Sequence, residues 1–342
     1  MNTPRATFPG RLCRLRRAFT IVEVLVAVGI TAALAGFIVV IVGNVSGFWA
    51  RTSGRLSAEA QGRFILDQIT VDLQSALYRD DGKTWLAATI LANTNNTFGL
   101  WNTTGTTSSA LKPANAAGSQ QGTAIGPLAD ARFGIGGTWL RFFTTKRGAG
   151  TTVAPAPVAV GYQIVRRASS GNEARSTDRR YLLHRTEVLP ATTFSTGYDL
   201  ALAAYNPTRN TAAVGNAAEI RCPTINSVIG ENVVDFGVRL YVRDAAAVDG
   251  LRRVFPANNN ALNYTARTPS SVTGAADPFP EVLDVMVRVL TDEGARVLAG
   301  YEASPQRVTA QTGRTVQQFW WDIVLANSQV FTRRIVINAQ PL

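Results

Sequence analysis

A chain of 342 residues with a formal net charge of +11 is long enough to bury a sizeable core, but it carries one histidine and two cysteines. With Cys13 in the basic N-terminal stretch, a chain trimmed there keeps only Cys222, so it forms no internal disulfide and holds no Cys/His metal cluster. His184 would be the only histidine for a Ser-His-Asp or Cys-His nucleophile, and it sits in the strand-like run Arg180-Tyr-Leu-Leu-His-Arg185, so no catalytic residue and no enzymatic activity are expected.

Residues 1–18 are polar and basic, with Pro4 and Pro9 and five arginines (Arg5, Arg11, Arg14, Arg16, Arg17). Without them the formal charge falls to +6. The remaining basicity reads as a solvated surface, because no run of Lys/Arg interleaved with aromatics occurs; nucleic acid is not an expected partner. Positive charge ahead of an apolar segment sets the orientation, leader inside and remainder outside.

From Val24 to Ala50 there is no charged residue, and 27 residues of helix span roughly 40 Å, enough for a bilayer's hydrocarbon core. Glu23, at the head of that run, is the anomaly, since ionisable groups within a span are costly and mark function. Three readings fit the segment. A secretory signal would use residues 21–31 and be cut after Ala33-Leu34-Ala35, leaving Phe37 to Val42 as a surplus apolar run. A signal anchor would stay uncut, and neither of these explains Glu23. A signal cut ahead of the apolar segment would keep that segment in the mature protein.

Gly43, Gly47 and Gly54 loosen the helix near the interface, and Phe48-Trp49 stand where an aromatic belt would lie. From Leu56 to Tyr78, Ile65, Ile69, Leu73 and Leu77 recur every four positions, while Arg63, Asp67, Asp72 and Gln74 take other faces. This predicts one N-terminal helix of more than 50 residues whose second half is amphipathic, ending at Asp80-Asp81-Gly82. Strands are expected at Trp85–Leu91, Thr97–Trp101, Thr138–Thr144, Val158–Arg167, Arg180–Val188, Val233–Arg243, Glu281–Leu290 and Val330–Ile337. In Val233–Arg243, Phe236, Val238, Leu240 and Val242 share one face, with Asp235, Arg239, Tyr241 and Arg243 on the other. Ser169-Ser170-Gly171-Asn172 reads as a hairpin connection.

Residues 102–137 read as a long surface loop, 190–227 as irregular, and 255–280 as a second polar loop. Gly134-Ile-Gly-Gly137 lacks the Lys-Ser/Thr and the helix of a phosphate loop and reads as a turn. Asp292-Glu293-Gly294 follows the seventh strand. Thr315 to Asn327 predicts a short helix whose Phe319, Trp320 and Trp321 form either part of the core, the favoured reading, or an exposed partner patch. Asp277, Asp292 and Glu293 lack a recognisable calcium loop, so neither a metal site nor a cofactor is expected.

The order of basic leader, Ala18, Phe19-Thr20-Ile21-Val22-Glu23 and a long apolar run resembles type IV pilins and type II secretion pseudopilins. Ala18 stands where that family usually has Gly. The resemblance implies cleavage between Ala18 and Phe19 by a membrane prepilin peptidase, N-methylation of Phe19, and pairing of Glu23 with a neighbouring subunit's α-amine during assembly. It implies an α+β, pilin-like fold, a long N-terminal membrane-spanning helix packed on a C-terminal antiparallel sheet with long loops. The boundaries are a cleaved leader at 1–18, a transmembrane and assembly half of the helix at 19–50, and a periplasmic head at 51–342. Within the head, 51–82 is the amphipathic half of the helix and 83–342 the β-rich part.

Beyond the first 50 residues the chain is similar to J-type minor pseudopilins. Leu66-Asp67 and Asp72-Leu73, Thr138–Phe142, Tyr162-Gln-Ile-Val-Arg166, Arg180–Arg185, Val233–Tyr241 and Pro280–Arg288 carry that likeness. Gln61–Asp67 and Val330–Arg334 lean toward PilW-like minor type IV pilins, and the Verru_Chthon cassette protein C group is also similar. The J-type likeness implies an inner-membrane protein at the tip of a periplasmic pseudopilus that drives protein export. Its partners would be I-, K-, H- and G-type pseudopilins, with a secreted substrate as a further one. A minor type IV pilin for adhesion, motility or DNA uptake is the alternative, and a membrane-anchored periplasmic enzyme a third class.

Overall fold

The structure, a computed structural model, describes residues 20–90, 127–133, 137–146, 156–170, 179–207, 214–256, 263–269, 277–303, 313–314, 316–338 and 340–341. An α-helix of 54 residues, α1 (Ile21–Gln74), opens it. The chain divides into two compact units, Met1–Thr52 and Ser53–Leu342.

In the second unit, Ala58, Ile65, Leu66, Ile69 and Leu73 of α1 are buried at the three- and four-residue steps of one helical face. Gly62 lies on this face because a Cβ there would fall 2.4 Å from the Phe331 ring. The sequence signals place the helix end at Asp80-Asp81-Gly82, but α1 stops at Gln74. Thr144 donates to the carbonyls of Asp72 (2.8 Å) and Ser75 (3.0 Å), and the Thr145 N–H to Ser75 O (3.1 Å). The last-turn carbonyls thus find donors in a neighbouring strand instead of in a further helical turn. The chain leaves as β1 (Leu77–Tyr78), paired in parallel with β12 (Gln340–Pro341).

Two antiparallel sheets follow. The larger is ordered β6-β5-β4-β3-β2-β9, from β2 (Leu86–Ile90), β3 (Thr138–Lys146), β4 (Ala156–Ala168), β5 (Arg179–Glu187), β6 (Val228–Glu231) and β9 (Asn263–Ala266). The smaller is ordered β11-β10-β7-β8, from β7 (Val233–Arg243), β8 (Leu251–Phe255), β10 (Val282–Leu290) and β11 (Ser328–Val336). The fold is α+β. Leu140, Phe142, Tyr162, Ile164 and Leu183 of the larger sheet join Phe236, Val238 and Leu240 of the smaller in one core with α1. Tyr162 and Phe236 meet with ring centroids 6.4 Å apart.

Several stretches expected to be loops are structured, each because it covers a sheet face or edge. The described part of 102–137 contains a short 3-10 turn (Leu128–Asp130) and the buried Phe133. Phe133 packs on β7 at Gly237, where a Cβ would lie 1.8 Å from its ring, and its N–H donates to Asp235 Oδ2 (3.1 Å). The polar face of β7 is therefore covered, and Asp235 and Arg239 are buried. Residues 190–227 contain α2 (Pro190–Thr196) and short 3-10 turns. This segment lies on the outer face of the larger sheet, with Tyr198 stacked on Trp85 at 5.9 Å and Tyr205 edge-on to Phe143 at 6.0 Å. Within 255–280, β9 adds an edge strand to β2.

Asp292-Glu293-Gly294 opens α3 (Asp292–Ala303), capped by Thr291 Oγ1, which accepts from the Gly294 N–H at 3.1 Å. In α4 (Val316–Asn327), Trp320 and Trp321 are buried and Phe319 half-buried, as a core assignment requires. Gly137 takes φ 58°, the left-handed turn conformation that glycine suits. The strand expected at Thr97–Trp101 and the connection at 171–172 lie outside the described residues.

Asp72, assigned to a polar helix face, is buried instead and ties α1 to the larger sheet. Arg185 grips it through Nε to Oδ2 (2.6 Å) and Nη2 to Oδ1 (2.9 Å), Tyr162 donates its hydroxyl to Oδ2, and Arg185 Nη1 also reaches Glu187 (2.9 Å). Removing one member strands a charge among apolar groups, so Asp72→Ala is expected to cost about 3–5 kcal/mol. Adding Arg185→Met should recover part of that loss. Urea unfolding of the full chain in detergent micelles measures both; equal loss in single and double variants would refute the coupling.

Candidate functional site

The candidate site is the start of α1. The Glu23 N–H donates to Thr20 Oγ1 at 3.2 Å, and the Val24 N–H to the Thr20 carbonyl at 3.2 Å. Thr20 is thus the N-cap and Glu23 the third helical residue, the spacing of a capping box. The carboxylate sits in the first turn, where the helix dipole favours an anion. This local role is one the sequence reading misses, although Thr20-Ile21-Val22-Glu23 carries its signature. Among the described residues the Glu23 carboxylate has no hydrogen-bond or ion-pair partner.

Every residue from Thr20 to Trp49 is exposed, including Leu25 (65%), Phe37 (67%) and Val39 (72%). An apolar surface of that extent requires lipid or protein cover. The helix is long and apolar enough to cross a membrane. Ala27, Thr31 and Ala35 share the Glu23 face at four-residue steps, and Thr31 folds its hydroxyl back onto Ala27 O at 2.8 Å. Gly29, Gly36 and Gly43 recur every seven residues with nothing within 4 Å of an added Cβ. Small faces of this kind let another helix approach closely within a bilayer. Ala18 and Phe19 lie outside the described residues.

The other candidate residues do not converge. His184 on β5 is buried opposite Gln163, its Nδ1 3.1 Å from Leu182 O and its Nε2 without a partner among the described residues. Burial, with the Arg167 cation, pushes it down to about 3, so it is neutral and sealed at physiological pH. The Cys222 thiol is buried and pushed up to about 11 by desolvation, far from the thiolate a nucleophile needs. Asp277 accepts from Thr268 Oγ1 (3.1 Å), while Asp292 and Glu293 begin α3. Among the described residues no group of three His, Cys, Asp or Glu side chains is placed to hold a metal ion.

Sequence reasoning also misses a second buried carboxylate, Glu302 on α3. It accepts from Arg166 (2.7 Å), from Trp320 Nε1 (2.9 Å) and from the Tyr181 hydroxyl, joining α3 and α4 to the larger sheet. Periodicity alone gives no signal for such a pair, because Glu302 and Arg166 are 136 residues apart.

His184 sets a pH dependence. Its folded pKa lies below the ordinary 6.5, so the unfolded chain binds the proton more readily and stability falls as pH drops from 6.5 toward 3. The slope approaches about 1.4 kcal/mol per pH unit well below 6.5. The thermal midpoint of His184→Gln is expected to fall less steeply than wild type between pH 6.5 and 5, above the range where carboxylates dominate. Parallel curves would show that the buried imidazole does not titrate on unfolding.

No protein-family model, no curated protein and no solved structure matches the chain.

Proposed function

We propose that the chain is a J-like minor pseudopilin of a type II secretion system, acting through assembly. The carrying observation is the order basic leader, Ala18, Phe19-Thr20-x-x-Glu23, then 27 uncharged residues in a helix that continues into an α+β head. In this reading a prepilin peptidase cuts between Ala18 and Phe19 and methylates the new amine. The apolar helix stays in the inner membrane with the head in the periplasm until extraction into the fibre.

Glu23 then has two roles at different stages. In the lone subunit it stands in the first helical turn that Thr20 caps, where the helix dipole favours a carboxylate at the head of an apolar rod. In the fibre it meets the Phe19 amine of a neighbour, a cation that exists only after cleavage. The exposed small-residue faces favour close helix packing around that pair. A pilin-like head larger than a shaft subunit tolerates suits the tip, beside I- and K-type partners, with H- and G-type subunits below.

The test combines processing with assembly. Intact-mass analysis of the membrane-extracted protein should find a chain beginning at methylated Phe19. Glu23→Ala should be processed normally yet enter the fibre at least tenfold less; normal incorporation would sink the pairing. Co-purification of the chain with I- and K-type neighbours supports the secretion reading. Loss of twitching or transformation on deletion, with secretion intact, would instead assign the chain to the minor type IV pilins.

A further inference from the structure

The outer face of the larger sheet carries a buried cationic group that the assembly reading leaves unused. Trp139 on β3 is flanked by two guanidiniums, the Arg141 Cζ lying 3.6 Å and the Arg221 Cζ 4.5 Å from its ring centroid. Both arginines are 8% exposed. The frame is fixed: Arg141 Nη1 donates to Thr89 Oγ1 at 3.2 Å, and Trp139 Nε1 to Ile220 O at 3.0 Å, which holds the turn bearing Arg221 against the ring. Gln163 Nε2 reaches the carbonyls of Ile220 (2.9 Å) and Arg221 (3.2 Å) and secures the same turn.

Among the described residues no carboxylate pairs with Arg141. Two other guanidiniums of the same sheet are matched, the buried Arg166 by Glu302 and the half-buried Arg185 by Asp72 and Glu187. Arg141 has a neutral hydroxyl, a ring face and another cation as neighbours, and its Nε is buried without a partner among the described residues. Residues 91–126, which follow directly on the β2 strand beside it, contain no Asp or Glu. Burial and the Arg221 cation push Arg141 down to about 9, and burial pushes Arg221 to about 10, so both stay charged at neutral pH. Stacking on Trp139 offsets part of the lost hydration but satisfies no N–H group.

We propose that Arg141 and Arg221, braced on Trp139, form a binding site for a small oxyanion, carboxylate or phosphate. A guanidinium fork presents parallel donors that match two oxygens of one such group. The small remaining exposure admits an ion or the tip of a single side chain and excludes a polymer backbone. The oxyanion is either a free ion or the acidic side chain of a bound partner. The site is independent of how the N-terminal helix is processed or assembled.

The experiment is calorimetric titration of the full chain in neutral detergent micelles at pH 7. One arm uses inorganic phosphate and the other N-acetyl-aspartate amide, each against sodium chloride at matched ionic strength. Saturable binding with a millimolar or tighter constant is expected in at least one arm. Tighter phosphate binding identifies a free ion as the ligand, and tighter aspartate binding identifies a partner's side chain. Arg141→Gln should weaken binding at least tenfold and Arg141→Lys less, with Arg221→Gln as the parallel variant should Arg141→Gln fail to give a native near-ultraviolet circular dichroism spectrum. No saturable heat from wild type in either arm, an equal response to chloride, or unchanged binding by a folded Arg141→Gln would each overturn the site.

Discussion

The β-rich unit depends on the carboxylate of Asp72, two residues before α1 ends at Gln74. It accepts two parallel bonds from Arg185 and one from Tyr162, while the Asp72 carbonyl accepts from Thr144. One residue therefore fixes three strands, β3, β4 and β5, against one helix turn. Apolar packing of Ile65, Ile69 and Leu73 supplies buried area, but the hydrophobic effect is non-directional. A desolvated bidentate pair tolerates no slip, because a displaced carboxylate would lie buried and unmatched. Its net contribution to stability against an apolar replacement is small, and its effect is on which arrangement is stable.

The same logic recurs at Glu302, which gathers Arg166, Tyr181 and Trp320, and so ties α3 and α4 to the opposite region of the larger sheet. Between the two junctions the sheet faces differ in chemistry. The inner face is aliphatic and aromatic and meets the smaller sheet through Phe236. The outer face carries Trp139, Arg141, Gln163 and His184 beneath the 190–227 segment, whose backbone carbonyls accept from Trp139 and Gln163. Polar side chains thus use the backbone of an otherwise irregular segment as their hydrogen-bond partner, which orders that segment without long helices or strands.

Periodic elements were legible in the sequence, and elements defined by distant partners were not. The alternation in Val233–Arg243 gives that strand to the residue, and the four-residue recurrence of Ile65, Ile69 and Leu73 gives the buried face of α1. The end of α1 was misplaced by eight residues because Asp80-Asp81-Gly82 is a strong local stop, while the actual stop depends on donors from Thr144 and Thr145, some 70 positions away. Asp72 looked solvated for the same reason: charge predicts exposure unless a partner is known, and Arg185 lies 113 residues on. The loops at 127–133 and 190–227 look polar and turn-rich, yet Phe133 and Tyr205 are single large anchors with no period to betray them. At the candidate site, Glu23 stands out by its chemical incongruity, while its place in the first turn is marked only by the short signature Thr20-Ile21-Val22-Glu23.

That geometry bears on how an apolar rod carries a charge at all. At the third helical position the Glu23 carboxylate lies in the first turn, at the positive end of the helix. Moved one turn deeper, to the Ala27 position, it would face only hydrogen-bonded peptide groups and apolar neighbours, and would carry the full penalty of an ion in hydrocarbon. The helix start therefore favours a carboxylate at this position without any second chain. In the proposed assembly a neighbour's cation at the same depth would complete an ion pair without an unmatched charge first having to be buried. The placement of Glu23 three residues after Thr20, rather than anywhere along the following 27 residues, puts the one charge of the apolar stretch where the helix start itself offsets part of its cost.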